Sequence, residues 1–160
     1  MLTTLFPGVQ HLQNIHPLFV HFPIAFLVGA ALFYLLAWIL RKDHLAITAF
    51  WVLILGAISA AATVVTGLYA GEGVMIARSV RAQLLEHHED LMITTLCLSV
   101  GLTLWAVVAR PFPKRGRLIF MLVFLVLLAV MSLGADYGAR MVYDYNAGGH
   151  ACSQPIDFTK

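Results

Sequence analysis

The sequence predicts an all-α integral membrane protein, a four-helix bundle in which each helix crosses the bilayer. Three observations carry this. Hydrophobic residues make up 61% of the 160-residue chain and charged residues only 11%, against roughly 45–50% and about 25% in soluble domains. Four apolar runs are each long enough for a hydrocarbon core, which takes about 20 helical residues. The short alternating strands of a membrane barrel are missing, and a helix satisfies its own backbone in lipid.

The first run spans about Pro17 to Leu40, and the second about Leu45 to Ala70. The third spans about Leu91 to Ala109, and the fourth about Leu118 to Ala135. Residues 136–160 form a polar tail, and the whole reads as one membrane domain. Pro17 suits a first helical turn, where its missing N–H is no loss. Pro23 removes a second donor, which is tolerable only near a helix start. In the second run Gly56, Ala60, Thr63, Gly67 and Gly71 form a ridge of small residues. Such a ridge lets a neighbouring helix, or a flat cofactor, approach the backbone closely. Glu89 and Asp90 open the third run, where acids suit the positive end of a helix dipole. The stretches Leu2 to Ile15 and Val74 to Glu86 are expected to be amphipathic helices lying in the interface. Tyr137, Tyr143 and Tyr145 suit an interfacial aromatic belt.

Orientation follows from the basic residues. The loops at Arg41–His44 and Arg110–Arg117 hold six of the ten Lys and Arg residues, while seven of the eight acids lie on the other side. The positive-inside rule then places both loops in the cytoplasm and both termini outside. On that map His11, His16, His21, His87, His88 and His150 gather near the outer face, and His44 alone lies inside.

Several classes are disfavoured. The net charge of +2 gives no argument for nucleic acid. Cys97 and Cys152 form no CxxC or CxxCH, which speaks against a zinc ribbon and against covalent c-type haem. No basic residue precedes the first apolar run, so no cleavable signal peptide is expected. The last three runs carry no Asp, Glu, Lys, Arg or His, which makes transmembrane ion transport the weakest reading.

The histidines carry the chemistry. Imidazole inside a membrane helix is costly, and it is a good haem and metal ligand. His16 sits at the entrance of the first helix, with His21 about 7.5 Å deeper along the axis. Five residues turn the two side chains 140° apart, so they serve different directions. A b-type haem needs axial ligands from two sides, and His21 with His88 are the expected pair. His16 with His87 would serve a second haem or bond propionates, for which Arg78, Arg81 and Arg140 are further candidates. Glu86 or Glu89 would orient a ligand histidine.

The segment HPLFVHFPIAF, His16 to Phe26, resembles the signature of a bacterial membrane-protein family known as domain of unknown function 2231. TGLYAGEGV at Thr66 to Val74, the HHE at His87 to Glu89 and GADYGARMVYDYNAGG at Gly134 to Gly149 are similar to its later elements. Members often carry a further histidine after the Val-Tyr pair, where this chain has Tyr145. The resemblance implies four membrane helices and marks His16, His21 and His88 as the positions to watch. It implies no activity.

The function expected is electron transfer by a protein that binds haem b near its outer face, without catalysis of its own. One haem is expected, or two if His16 and His87 hold a second. Its partners would be the lipid bilayer, other membrane redox subunits of a respiratory or photosynthetic complex, a periplasmic c-type cytochrome and membrane quinone. The alternative is a structural subunit without cofactor. A metal-handling or transport protein ranks below both.

Overall fold

The computed structural model describes residues 15–73, 77–109, 111–145 and 147. Four long helices run through it: α1 His16–Leu40, α2 Asp43–Glu72, α3 Arg78–Ala109 and α4 Arg117–Tyr145. All four are long and apolar enough to cross a membrane. Consecutive helices pack side by side and α4 closes back on α1. The diagonal partners are therefore α1 with α3 and α2 with α4. Packing is densest within the hairpins α1–α2 and α3–α4. We call the end carrying His16 and His88 the histidine end, and the end carrying the two short loops the basic end.

The buried residues recur every seven positions. On α1 the columns are Pro23, Ala30 and Ala37, with Leu27 and Tyr34 beside them. On α4 they are Phe120, Leu127, Gly134 and Met141. A sevenfold repeat keeps one seam of a helix against its neighbours as the bundle winds left-handedly. The outward columns are large and apolar instead, as with Val28 and Leu35 on α1 or Trp51, Ile58 and Val65 on α2. Small residues inside and large aliphatics outside is the pattern lipid imposes, because close approach rather than water exclusion holds the helices together. Gly56 fits this, since a Cβ there would come within 2.7 Å of the Leu27 side chain.

Proline decides the entry of α1. Pro23 has no N–H to offer the carbonyl of Phe19, and the helix is interrupted at Val20. The Thr63 hydroxyl of α2 donates to that carbonyl at 3.1 Å. A backbone acceptor that one helix cannot satisfy is thus answered by the next helix, as a dry interior requires.

Two helices are longer than their apolar runs. α3 begins at Arg78 rather than near Leu91, and α4 continues to Tyr145 rather than ending near Ala135. Residues 78–86, expected to belong to a separate interfacial helix, are instead the first turns of α3. They pass through a wide π-helical turn at Arg81–Leu85. Hydropathy marks only the stretch inside hydrocarbon, whereas these helices run past it. There Leu84, Leu85 and Met141 form a small second core, with Val80 and Tyr137 against it. The rest of that interfacial stretch at 74–76, the N-terminal stretch up to residue 14, and His11, His150 and Cys152 lie outside the described residues.

At the basic end Tyr34 is fully buried. Its ring centroid lies 5.0 Å from Phe112 and 5.0 Å from Phe120, and its hydroxyl donates to the Pro111 carbonyl at 3.1 Å. The α3–α4 loop is thereby pinned to α1. Tyr34→Phe should cost about 1 kcal/mol through the lost hydrogen bond. Tyr34→Ala should cost about 3–5 kcal/mol through the cavity left among the aromatic rings. Thermal unfolding in detergent micelles measures both, and equal losses would mean that the ring contributes nothing beyond its hydroxyl.

Candidate functional site

The sevenfold columns decide which histidines face inward. His16 continues the buried column of Pro23, Ala30 and Ala37 and is half-buried. His21 belongs to the column of Val28 and Leu35 and is exposed, its Nδ1 3.0 Å from the Pro17 carbonyl of its own helix. On α3, His88 continues the column of Thr95 and Leu102 and is half-buried. His87 heads the exposed column of Thr94, Gly101 and Val108. Of the expected pair, His88 thus turns inward, while His21 lies on the outer surface of α1. The two histidines that turn inward at this end are His16 and His88. The 140° between His16 and His21 allowed only one of them inside, and the neighbouring small residues select His16.

Each inward histidine rests on a glycine of the next helix. A Cβ on Gly67 of α2 would lie 2.9 Å from Cε1 of His16. A Cβ on Gly138 of α4 would lie 3.0 Å from Cε1 of His88. Both glycines belong to a Gly-x-x-x-Gly step, Gly67 to Gly71 and Gly134 to Gly138. The partner glycines are filled as well, Gly71 by the carboxylate of Glu89 and Gly134 by the Met92 methyl. The two hairpins thus repeat one device: a histidine of the first helix, at the histidine end, seated on a glycine step of the second. Small-residue ridges of this kind serve close approach, and here what approaches is imidazole.

Hydrogen bonding fixes the rings. Thr66 donates its hydroxyl proton to the Thr63 carbonyl at 3.0 Å, so its oxygen can only accept from Nδ1 of His16, 3.2 Å away. His88 donates from Nδ1 to the Gly134 carbonyl at 2.7 Å. A carbonyl has no proton to give, so His88 carries a proton on Nδ1, and its neutral form keeps the lone pair on Nε2. An Nδ1–H held by a carbonyl or hydroxyl is the arrangement that orients ligand histidines in metal sites.

The remaining candidates form a rim. His87 stacks on Tyr137 with centroids 5.6 Å apart, and the Arg140 guanidinium lies 6.0 Å over the same ring. Arg140 also pairs with Asp144 at 3.8 Å. Arg78 is exposed at the start of α3, and Arg81 is half-buried in the wide turn. Glu86 is exposed, while Glu89 is half-buried against Gly71. Among the described residues no three His, Cys, Asp or Glu side chains form a metal-binding group. Thr63 and Thr66, which sequence reasoning placed on a packing ridge or passed over, are the polar partners of His16.

A family model settles the relationship. The predicted membrane protein family DUF2231 matches residues 12–151. The chain belongs to that family. It is a multi-pass membrane protein, and the lipid bilayer is its surroundings. No curated protein and no solved structure matches it. The match runs from ahead of His16 to beyond the described end of α4, so it takes in both glycine steps and both inward histidines of this DUF2231 member.

The glycine contacts make a signed prediction. Gly67→Val places a branched side chain in the His16 ring and should lower the melting temperature. Gly101 faces open space on α3, with nothing within 4 Å of a Cβ. Gly101→Ala should therefore raise stability by about 0.4–1 kcal/mol through the reduced entropy of the unfolded chain. Paired melting curves in detergent check both signs; a neutral Gly67→Val would show that the His16 seat is not filled in solution.

Proposed function

We propose that this chain binds haem b between His16 and His88 and works as a membrane electron-transfer protein or as a subunit of a redox complex. One observation carries the reading: two imidazoles, from the diagonal helices α1 and α3, turn inward at the same end of the bundle, each with Nδ1 at hydrogen-bonding distance from an oxygen of the next helix. The donor set fits the group. Imidazole is a donor that haem iron accepts, and Thr66 and the Gly134 carbonyl, at hydrogen-bonding distance from the two Nδ1 atoms, would orient His16 and His88 to hold it.

Bound there, haem would supply one-electron chemistry at a potential set by its ligands and their burial. The chain's own residues do the rest. His16 leans on α2 and His88 on α4, so the two rings approach from opposite sides of the bundle. The hydroxyls of Thr63 and Thr66 spend their protons on carbonyls and leave the His16 Nδ1–H oriented. His87, Tyr137 and Arg140 lie outside this pair as a rim, the place for polar contact with propionates or with a redox partner. Quinone and a c-type cytochrome are the partners this reading calls for.

A second reading rests on its own observation. Every buried side-chain nitrogen and oxygen among the described residues has a hydrogen-bond partner. The histidines then act as clamps between helices, in a structural subunit without cofactor. A reduced-minus-oxidised spectrum with a pyridine haemochrome assay on the purified chain separates the two. Loss of haem is expected in His16→Ala and in His88→Ala. His21→Ala and His44→Ala should keep it. His88→Met should retain some haem at a raised potential, since Met/His ligation favours the ferrous state. No haem in the wild-type chain sinks the first reading, and equal loss in His21→Ala sinks the ligand assignment.

The orientation we propose puts the histidine end at the periplasm and the basic end in the cytoplasm, on the strength of the clustered basic residues. Single-cysteine variants at Arg115 and Ser153, in a chain lacking Cys97 and Cys152, test this. An impermeant thiol reagent applied to intact spheroplasts should label position 153 and spare 115; the opposite pattern reverses the protein.

A further inference from the structure

The basic end holds a second feature with a chemistry of its own. Between the α1–α2 turn and the α3–α4 loop lies an open cleft of about 690 Å³. Four cations line it, Arg41, Lys42, Lys114 and Arg117, against the single acid Asp43. Its walls are apolar below that ring of charge. Trp38, Ala46 and Phe112 line it, and so do Ile39 and Ile47, which are exposed and belong to the outer surface of the helices. The cleft is thus cationic at the water and continuous with the lipid-facing surface.

Two of the four cations are held at a structural cost or by a specific brace. Arg41 ends α1 with φ 53, the left-handed conformation, and it is the sole non-glycine with positive φ among the described residues. Glycine is the usual occupant of that C-terminal position, because a side chain is strained there. The α3–α4 loop does use glycine for its own positive φ, at Gly116. Arg117 is braced instead: its Nε donates to the Pro113 carbonyl at 3.1 Å, and its guanidinium lies 5.1 Å over the Phe112 ring. An arginine kept in a strained cap and another fixed across the cleft read as a preorganised anion site.

We propose that this cleft binds the phosphodiester headgroup of an anionic phospholipid, with the acyl chains lying along Ile39 and Ile47. The shared chemistry is a phosphate oxyanion, and the apolar flank favours a lipid over free phosphate. Basic pockets between membrane helices are suited to such headgroups. The site is separate from the histidine end, and its occupancy does not depend on haem.

The test is a titration of the purified full chain in neutral detergent, followed by native mass spectrometry. The probes are phosphatidylglycerol, phosphatidylcholine and inorganic phosphate. Phosphatidylglycerol should bind as a discrete single adduct. Phosphatidylcholine and inorganic phosphate should bind at least several-fold more weakly. Arg41→Gly and Lys114→Gln should each weaken phosphatidylglycerol about fivefold, the usual loss for one basic residue at a membrane surface. Arg41→Gly relieves the left-handed strain, so it should fold at least as well as the wild-type chain, and Lys114 is exposed. Unchanged phosphatidylglycerol affinity in both variants overturns the site. Equal affinity for phosphatidylcholine overturns headgroup selectivity, and inorganic phosphate competing at equal concentration overturns a lipid as the occupant.

Discussion

In hydrocarbon no water answers an unpaired carbonyl or hydroxyl, and this constraint shapes the interior of the bundle. It is clearest at Phe19, whose carbonyl loses its helical donor to Pro23 and takes the Thr63 hydroxyl instead. Thr66 then bonds Thr63, and His16 bonds Thr66. One proline in α1 thus places two threonines in α2 and, through them, the first inward histidine. Further down α3 the buried hydroxyls of Thr95 and Ser99 turn back onto their own helix, bonding Leu91 and Leu96. Where a side chain can satisfy itself locally it does so; at the histidine end alone the bonds described cross between helices and engage imidazole.

The two ends of the bundle are built from different materials. The basic end is closed by aromatic packing of Tyr34, Phe112, Phe120 and Phe124, which needs large rings and a plugged loop. The histidine end is open to polar groups because glycine, alanine and threonine keep the helix surfaces low.

Much of this was legible in the residues. Composition and four apolar runs led to the four-helix membrane bundle, and the glycine ridge of α2 was read as a surface for close approach, which Leu27, His16 and Glu89 fulfil. Which histidine of α1 turns inward was not legible from depth alone, for a physical reason. Depth along the helix made His21 look the more costly residue, but depth says nothing of azimuth. The signal for azimuth was present: Pro23, Ala30 and Ala37 lie at sevenfold intervals from His16, whereas Val28 and Leu35 follow His21. The wide turn at Arg81–Leu85 was not legible, because a π turn changes register without any distinctive residue. The full length of α3 and α4 was hidden for a related reason, since polar turns beyond the hydrocarbon carry no hydropathy.

The repeated hairpin has a mechanical consequence. His16 is bonded and seated on α2, and His88 on α4, so each imidazole travels with its own hairpin. The distance between the rings is set at the seam where the two hairpins meet. A small shear along that seam alters the imidazole spacing while both glycine seats stay intact. Sliding of packed helices is a low-cost motion in proteins. Glu89 of α3 against Gly71 of α2 guards that seam at the histidine end, and Tyr34 of α1 against Phe120 and Phe124 of α4 guards it at the basic end, so packing at one surface bears on the spacing at the other.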